Sequence, residues 1–225
     1  MDYHGIAVRR MPPAGFEEKV SPAHTAVVVV DVLNDFCAAG GMMDGEGADL
    51  TGVQSAAARI PRLLACAREA GALVVFVRNE YTTENNSYLS DVWLEQAVRR
   101  RGESYTERSV CAAGSWNQDF YGDVRPLPAE PIVTKHRYDA FLNTDLDLIL
   151  RANRIDTVVL CGMATNVCVE TTARAAFVRD YYVVVAEDGT ATYSQAEHVA
   201  SLATLDRYFG EVVAIDAIAS AWDAA

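Results

Sequence analysis

Six short apolar runs, separated by helical segments, constrain the fold of this chain more than any other feature. The first is Thr25–Val30, TAVVVV, in which five apolar residues follow one another without interruption. Such a run is typical of a strand that is buried on both faces of a parallel sheet. The later runs occur in ALVVFVR, PIVTK, DTVVLCG, YYVVVAED and EVVAI. Because right-handed crossovers place the intervening helices on both faces of the sheet, we predict a three-layer α/β/α fold with a doubly wound, six-stranded parallel sheet.

Helical patterns occupy most of the intervals between these strands. Residues from about 50 to 70 are rich in Ala, Leu and Arg, and Gly71 follows them as a typical C-terminal helix residue. Another helix is predicted from about residue 166 to 179, with Thr165 or Asn166 as its N-cap.

Two segments lack a regular pattern. Residues 1–23 contain several prolines and are predicted to form an irregular N-terminal lead-in. Residues 79–131 are predicted to be an irregular excursion with one helix around the sequence YLSDVWLEQAVRR. All 225 residues are assigned to a single domain.

Composition and charge exclude several classes of protein. Hydrophobic residues make up 51% of the chain, which is enough to fill a core. The 19 basic and 31 acidic residues give a net charge of −12, which disfavours binding to nucleic acid or to an anionic membrane. No apolar run approaches the roughly 18 residues of a membrane span, so no membrane association is expected. The five cysteines form no C-x-x-C pair, and the absence of a recognisable signal region predicts a cytoplasmic protein with free thiols.

Two charged residues lie at the carboxyl ends of predicted strands, where doubly wound sheets bind their ligands. Asp31 follows four valines, so its carboxylate should lie at the rim of a buried sheet. Desolvation there would raise its pKa and make it a usable base. Lys135 ends the third strand and could keep that carboxylate ionised. The alternatives are a loop-facing or capping aspartate and a solvated lysine.

A third candidate, Cys168, lies six residues after Gly162 closes the fourth strand. In the first turn of the following helix, backbone N–H groups and the helix dipole would favour its thiolate. The alternative is a small buried apolar side chain, which is the role we assign to Cys37, Cys66, Cys111 and Cys161. Together the three strand ends supply a nucleophile, a base and a cation, the set that a cysteine hydrolase needs.

Three motifs resemble the isochorismatase-like cysteine hydrolases: VVVVDVLNDFC, VTKHRYDAFLNTDLD and VVLCGMATNVCVETTARAA. The resemblance extends from about residue 21 to 209. It implies a strand order of 3-2-1-4-5-6 and a catalytic Asp, Lys and Cys at Asp31, Lys135 and Cys168. It also implies a cis peptide bond between Met163 and Ala164, and an oxyanion hole made by the N–H groups of Ala164 and Cys168.

Comparison within the family narrows the expected reaction. Nicotinamidases carry a metal-binding Asp and two His after strand 2, but the stretch RNEYTTENNSYLSDVW has no His. We therefore expect no metal and no other cofactor. Isochorismatases proper lack the nucleophilic cysteine, which Cys168 supplies here. The ureidoacrylate amidohydrolases are nearest, since they share an Asn after strand 2, a GSW and a K-x-R-Y-x-x-F-x-N-T stretch, matched by Asn79, residues 114–116 and residues 135–144.

The resemblance therefore implies an amidohydrolase that cleaves a small carbamoyl or ureido compound through a thioester. Biuret, N-carbamoylsarcosine and isochorismatase-type substrates remain alternatives, as does a catalytically silent binding or assembly module. The predicted substrate-binding residues are Phe36, Asn79, Trp93, Tyr138 and Phe141, with Tyr81 and Trp116 as further aromatic candidates. For each aromatic residue the alternative is core packing, and for Asn79 it is a turn. His136 is also a candidate because it follows Lys135.

A homodimer or homotetramer is expected, since family members are commonly oligomeric. Tyr81, Tyr88, Leu89, Val92 and Trp93 form an apolar set in the 79–131 excursion that is seldom left in water. We predict that this segment packs over the active-site rim and partly against a second subunit. The alternative is that it folds back on its own domain.

Overall fold

A six-stranded parallel sheet lies at the centre of the protein. In this computed structural model, which describes residues 11–82, 85–102 and 109–223, the strand order is β3-β2-β1-β4-β5-β6. The predicted order and the parallel pairing are confirmed. The strands are β1 (Thr25–Val30), β2 (Leu73–Asn79), β3 (Ile132–Lys135), β4 (Thr157–Met163), β5 (Tyr182–Ala191) and β6 (Glu211–Val213).

Helices cover both faces of the sheet. The longer ones are Thr51–Ala70, Asp91–Arg101, Leu146–Ala152, Glu170–Phe177, Gln195–Tyr208 and Ile215–Asp223. Short helical segments are Phe16–Lys19, Pro22–His24, Asn34–Cys37, Met42–Gly45, Trp116–Gln118 and a π-helical turn at Thr165–Val169. Among the described residues, no helix combines the length and the apolar character needed to span a membrane.

Strand β1 is the innermost element. All six of its residues are fully buried, because successive side chains enter two different apolar clusters. Val27 and Val29 pack on the side of helices 51–70 and 215–223, whereas Val28 and Val30 pack on the side of helices 146–152, 170–177 and 195–208. Burying one such side chain stabilises the fold by roughly 1.5–3 kcal/mol. The valine run therefore fixes the end of β1, and with it Asp31, in the middle of the sheet.

The N-terminal segment that was predicted to be irregular contains two short helical elements. Within residues 11–23 these are the helix Phe16–Lys19 and the start of the turn Pro22–His24. Tertiary contacts order this segment: Lys19 forms an ion pair with Glu211, and the backbone oxygen of Val20 accepts a hydrogen bond of 2.7 Å from the indole of Trp222. Residues 1–10 lie outside the described residues.

The predicted excursion contains the helix that its sequence indicates. This helix is Asp91–Arg101, and Ser90 Oγ caps it by accepting from the backbone N–H of Trp93 at 3.2 Å. Asn79 does not belong to the excursion, because it is the last residue of β2. Residues 83–84 and 103–108 lie outside the described residues.

Asp35, to which no role was assigned from the sequence, holds the later part of the excursion. Its carboxylate is fully buried and accepts from the backbone N–H of Cys111 at 2.6 Å and of Met42 at 3.0 Å. It also accepts from the side-chain amide of Asn117. Such charge-assisted bonds are stronger than neutral ones, so one buried carboxylate replaces the regular pairing that this segment lacks.

Gly162 permits the close approach of β1 and β4 beside the site. Its φ is +117°, and a Cβ built there would lie 1.9 Å from the backbone oxygen of Val30. No side chain fits between the two strands at this point. The end of β1 and the turn after β4 can therefore lie side by side only because this residue is glycine.

We predict that Gly162→Ala destabilises the protein by at least about 3 kcal/mol, since overpacking adds to the backbone strain. Gly71→Ala is the matched control, because Gly71 also has a positive φ, +76°, but has no neighbour within 4 Å of the added Cβ. It should cost only about 1 kcal/mol. Urea unfolding measures both values, and equal losses would contradict the close-approach argument.

Candidate active site

Three strand ends bring Asp31, Lys135 and Cys168 together. Asp31 follows β1 and Lys135 is the last residue of β3, while Cys168 lies in the π-helical turn after β4. Asp31 has a left-handed backbone with φ +52°, a conformation that Asp tolerates better than most residues. Its N–H still donates to Val77 of β2 at 3.0 Å. The sheet therefore holds the backbone of Asp31 while the turn redirects its side chain.

The Lys135 ammonium is the hub of the contacts. Its Nζ lies 2.8 Å from Oδ2 of Asp31 and 3.4 Å from Sγ of Cys168. It also donates to Oδ1 of Asn79 at 2.8 Å and to the backbone oxygen of Arg137 at 2.9 Å. The side chains of Lys135 and Asp31 are both 0% exposed. The three residues singled out from the sequence therefore form one buried cluster.

Asn79 lies inside this cluster. Its amide oxygen accepts from Lys135, and its amide nitrogen donates to Oδ2 of Asp31 at 3.2 Å. The same nitrogen is 4.0 Å from Sγ of Cys168. Asn79 was predicted to bind substrate and does line the cavity described below. Its hydrogen bonds, however, are to the charged groups, so its main contacts are with the Asp31–Lys135 pair.

Burial dominates the pKa values of the cluster. It raises the pKa of Asp31, an effect that the charge of Lys135 offsets only in part. Burial also acts to lower the pKa of Lys135, but the electrostatic and hydrogen-bond interactions with Asp31 and Cys168 outweigh it and the net shift is upward. Burial raises the pKa of the Cys168 thiol to about 12, although Lys135 opposes the rise. At neutral pH Lys135 is therefore an ammonium and Cys168 a protonated thiol.

The predicted thiolate at a helix N-terminus is wrong for the resting state. Cys168 lies in a π-helical turn, and its N-cap is Ala164, with no side-chain capping bond. Neither Thr165 nor Asn166 caps the helix. The backbone N–H groups of this turn do not compensate for the desolvation of a thiol that is 5% exposed. A base is therefore needed to remove its proton, and Oδ1 of Asp31 has no hydrogen-bond partner among the described residues.

Buried hydroxyls organise the turn that carries Cys168, and no sequence pattern predicted this network. The peptide bond Met163–Ala164 is cis, the form that the family resemblance implies. Thr165 Oγ1 lies 3.0 Å from Oγ1 of Thr190 and 2.9 Å from Nδ1 of His198. Thr190 in turn donates to the backbone oxygen of Gly162 at 2.7 Å. These bonds join β4, β5 and helix 195–208 around the turn.

A cavity of about 380 Å³ opens onto Cys168. Of the predicted substrate-binding residues, Phe36, Asn79, Trp93 and Tyr138 line it, and so does the further candidate Tyr81. Ala164 and Cys168 are also in its wall. Tyr193 lines the cavity as well, although no role was assigned to it from the sequence.

Phe141 does not line the cavity, so its predicted place in the substrate site is wrong. Its ring packs in the apolar cluster on the side of helices 146–152 and 170–177, stacked on Tyr181 with the ring centroids 5.9 Å apart. The turn after β3 directs Phe141 away from the cavity that Tyr138 reaches. Trp116 is also absent from the wall and is 50% exposed. His136 lies outside too, with Nδ1 2.7 Å from the backbone oxygen of Glu80.

Aromatic contacts hold the helix 91–101 over the cavity. The ring of Trp93 lies 4.9 Å from that of Tyr81 and 4.8 Å from that of Tyr138, and the Arg137 guanidinium lies 5.0 Å from its centroid. Gln96 and Arg100 of the same helix also line the cavity. The excursion thus packs over the active-site rim through contacts within its own chain.

No metal site is evident in ranges 11–82, 85–102 and 109–223, where no group of three or more His, Cys, Asp or Glu side chains is placed to hold an ion. The charged groups of the cluster are instead paired with each other through Lys135.

The fold and the cluster of Asp31, Lys135 and Cys168 are typical of the cysteine hydrolases. The isochorismatase domain model matches residues 25–217. Ureidoacrylate amidohydrolase RutB of Methylobacterium radiotolerans is 37% identical over 210 residues, covering 90% of this chain and 81% of that protein. The same enzyme of Variovorax paradoxus is 36% identical over 198 residues, covering 85% and 79%.

Comparison with solved structures supports the same class of protein. A cysteine hydrolase from Pseudomonas syringae superposes with a TM-score of 0.78 at 28% identity, covering 95% of this chain and 98% of that one. N-carbamoylsarcosine amidase from Thermoplasma acidophilum gives a TM-score of 0.66 at 27% identity, covering 85% and 96%. This chain belongs to the isochorismatase family, and the predictions of that family and of an amidohydrolase are confirmed.

Alkylation of Cys168 tests its resting protonation state. Because its pKa is about 12, its reaction with iodoacetamide should accelerate by roughly tenfold per pH unit between pH 7 and 9, as the thiolate fraction grows. Mass spectrometry of the peptide that contains Cys168 measures the rate, and Cys168→Ser gives the background. A rate that is already fast and independent of pH from pH 6 upward would instead show a preformed thiolate.

Proposed function

We propose that this protein hydrolyses the C–N bond of a small ureido or carbamoyl compound through a thioester on Cys168. The observation that carries the proposal is the buried cluster of the Cys168 thiol, the Lys135 ammonium and the Asp31 carboxyl, beside the cavity that Cys168 lines. One oxygen of Asp31 has no hydrogen-bond partner among the described residues. These three groups supply a nucleophile, a base and a fixed positive charge.

In the first half-reaction, Asp31 accepts the proton of Cys168 and the sulfur attacks the substrate carbonyl. Lys135 stabilises the negative charge on the pair. The backbone N–H groups of Ala164 and Cys168 are the proposed donors to the oxyanion, contacts that are typically worth about 3 kcal/mol each. When the tetrahedral intermediate collapses, Asp31 returns the proton to the leaving nitrogen, so that ammonia or an amine departs and the thioester remains.

In the second half-reaction, Asp31 removes a proton from water, which attacks the thioester carbonyl. The C–S bond breaks, the sulfur regains a proton from Asp31, and the acid product leaves. One carboxyl thus acts twice as a base and twice as an acid. A pKa raised by burial suits this role, because the group must both accept and release a proton near neutral pH.

The substrate class is supported by the relatives and by the cavity wall. The names of two relatives of this chain refer to ureidoacrylate and N-carbamoylsarcosine, and both compounds contain a carbamoyl group on nitrogen. Asn166 donates its amide nitrogen to Glu197 at 2.9 Å, which leaves its buried Oδ1 without a partner among the described residues. That oxygen is a suitable acceptor for an N–H of the ureido group.

Cys168→Ala and Asp31→Asn test the chemistry. We expect each variant to lower kcat for ammonia release by on the order of 10⁴-fold, since each removes an essential group. The assay is a screen of ureidoacrylate, biuret, N-carbamoylsarcosine and simple amides, with mass spectrometry of the quenched wild-type enzyme for an acyl group on Cys168.

Cys66→Ala is the matched control, because Cys66 lies on helix 51–70, away from the site, and should retain activity. Near wild-type activity of Cys168→Ala would refute the covalent mechanism, while a thioester accumulating in Asp31→Asn would mean that acylation proceeds without this base. Wild-type enzyme that releases no ammonia from any of these compounds would favour the alternative of a silent binding module.

Asn79→Ala separates a positioning role from substrate binding. If Asn79 mainly orients Lys135 and Asp31, its removal should lower kcat by about 30-fold, a loss of about 2 kcal/mol, with little change in KM. Steady-state kinetics on the best substrate of the screen measure both constants. An increase in KM at constant kcat would assign Asn79 to substrate binding alone.

We also propose that the protein assembles as a dimer or tetramer through the outer face of helix 91–101. Tyr81, Leu89 and Trp93 pack on their own chain, but Val92 is 72% and Tyr88 is 41% exposed. Light scattering should give a multiple of 24.5 kDa, and Val92→Glu should shift it toward the monomer. A monomeric wild-type protein at micromolar concentration would refute the shared interface.

A further inference from the structure

Two residues that line the cavity carry buried hydrogen-bond donors that have no partner among the described residues. These donors are the Tyr81 hydroxyl and the Trp93 indole Nε1, both without an acceptor in the part of the chain that the structure describes. Both residues line the cavity that opens onto Cys168, and their rings touch, with centroids 4.9 Å apart.

Unpaired buried donors are unusual. Leaving such a group without an acceptor costs about 1–3 kcal/mol, and more than nine in ten buried polar groups in proteins are paired. Two of them on adjacent rings in one cavity are therefore more consistent with a place for a bound acceptor than with a packing defect.

The chemistry of the two groups defines what they bind. An indole N–H only donates. Burial is the main cause that raises the pKa of Tyr81 well above its usual value, and the neighbouring Cys168 and Asp31 add to the rise, so its hydroxyl stays protonated. The pair therefore consists of one neutral N–H donor and one neutral O–H donor, both on residues that line the cavity.

We infer that Tyr81 and Trp93 bind an acceptor oxygen of the substrate other than the oxygen of the carbonyl that Cys168 attacks. The inference rests on the proposed function and narrows its substrate class to ureido compounds that carry a second oxygen, in a carboxylate or a neutral carbonyl. Arg100, on the same helix as Trp93, lines the cavity as well and would add a cation if that oxygen belongs to a carboxylate.

Ligand binding to the Cys168→Ala variant tests the inference without relying on turnover. Calorimetry compares three probes with equal carbon chains: 3-ureidopropionate, 3-ureidopropionamide and n-propylurea. At least one of the two probes with a second oxygen, 3-ureidopropionate or 3-ureidopropionamide, should bind roughly tenfold more tightly than n-propylurea. A preference limited to 3-ureidopropionate identifies a carboxylate, whereas a preference for both identifies any acceptor oxygen.

Tyr81→Phe and Trp93→Phe, each added to Cys168→Ala, remove one donor while keeping an aromatic ring. Each should reduce the preference for a probe with a second oxygen by roughly threefold to tenfold and leave the affinity for n-propylurea nearly unaffected. Tyr193→Phe is the matched control, since the Tyr193 hydroxyl also lies in the cavity wall but donates to the backbone oxygen of Phe36 at 2.8 Å. It should change the affinity for all three probes by the same factor.

The inference is overturned if the three probes bind Cys168→Ala equally, if none of them binds, or if Tyr81→Phe and Trp93→Phe weaken all probes to the same extent. These outcomes are separate from a failure of the proposed function, which the ammonia screen on the wild-type enzyme detects. A wild-type enzyme that hydrolyses none of the screened compounds would refute the proposed ureido or carbamoyl substrate class, yet the preference for a probe with a second oxygen would still be measured in Cys168→Ala.

Discussion

The buried ion pair between Lys135 and Asp31 is the interaction on which the rest of the site depends. Its atoms are 2.8 Å apart and neither side chain is exposed. Removing one partner of such a pair typically costs about 3–5 kcal/mol, because the other charge stays buried without compensation. Each charge is therefore tolerated only because the other is present. Additional bonds from Lys135 to Asn79 and to the backbone of Arg137 satisfy the remaining donors of the ammonium.

The sheet order makes this pair possible. Strands β1 and β3 lie on either side of β2, so their ends are separated by one strand, and Asn79 at the end of β2 bridges the gap. On the other side β4 pairs with β1, and Gly162 lets the backbones approach closely enough to place Cys168 against the pair. A charged cluster assembled from four strand ends tolerates little displacement, because hydrogen-bond strength falls steeply with distance and angle.

Burial favours the proposed role of Asp31 as a base but disfavours the reactive thiolate form of Cys168. It raises the pKa of Asp31, which suits a base that must also return its proton, but it raises the pKa of Cys168 to about 12, which leaves the nucleophile as a thiol at rest. Helix 91–101 contributes Trp93 to the wall of the cavity, where its ring contacts Tyr81. These two residues carry the buried donors with which we infer that a substrate is recognised.

The sequence by itself determined the strands and the three reactive residues. A run such as Val27–Val30 can be satisfied only inside a sheet covered on both faces, and the positions of Asp31, Lys135 and Cys168 after such runs place them at one edge. The strands and the residues that follow them can be recognised from short stretches of sequence, because each is a local pattern in the primary structure.

Only the tertiary structure decided how these residues interact with their surroundings. It turned Asn79 toward the ion pair and Phe141 into the apolar cluster on the side of helices 146–152 and 170–177, and it left Cys168 protonated in a π-helical turn. The direction of a side chain after a strand depends on turn geometry, and a pKa depends on the charges and the solvent that surround the group. Those quantities arise from contacts between residues far apart in the chain, such as Asp31 and Lys135, and no local pattern in the sequence contains them.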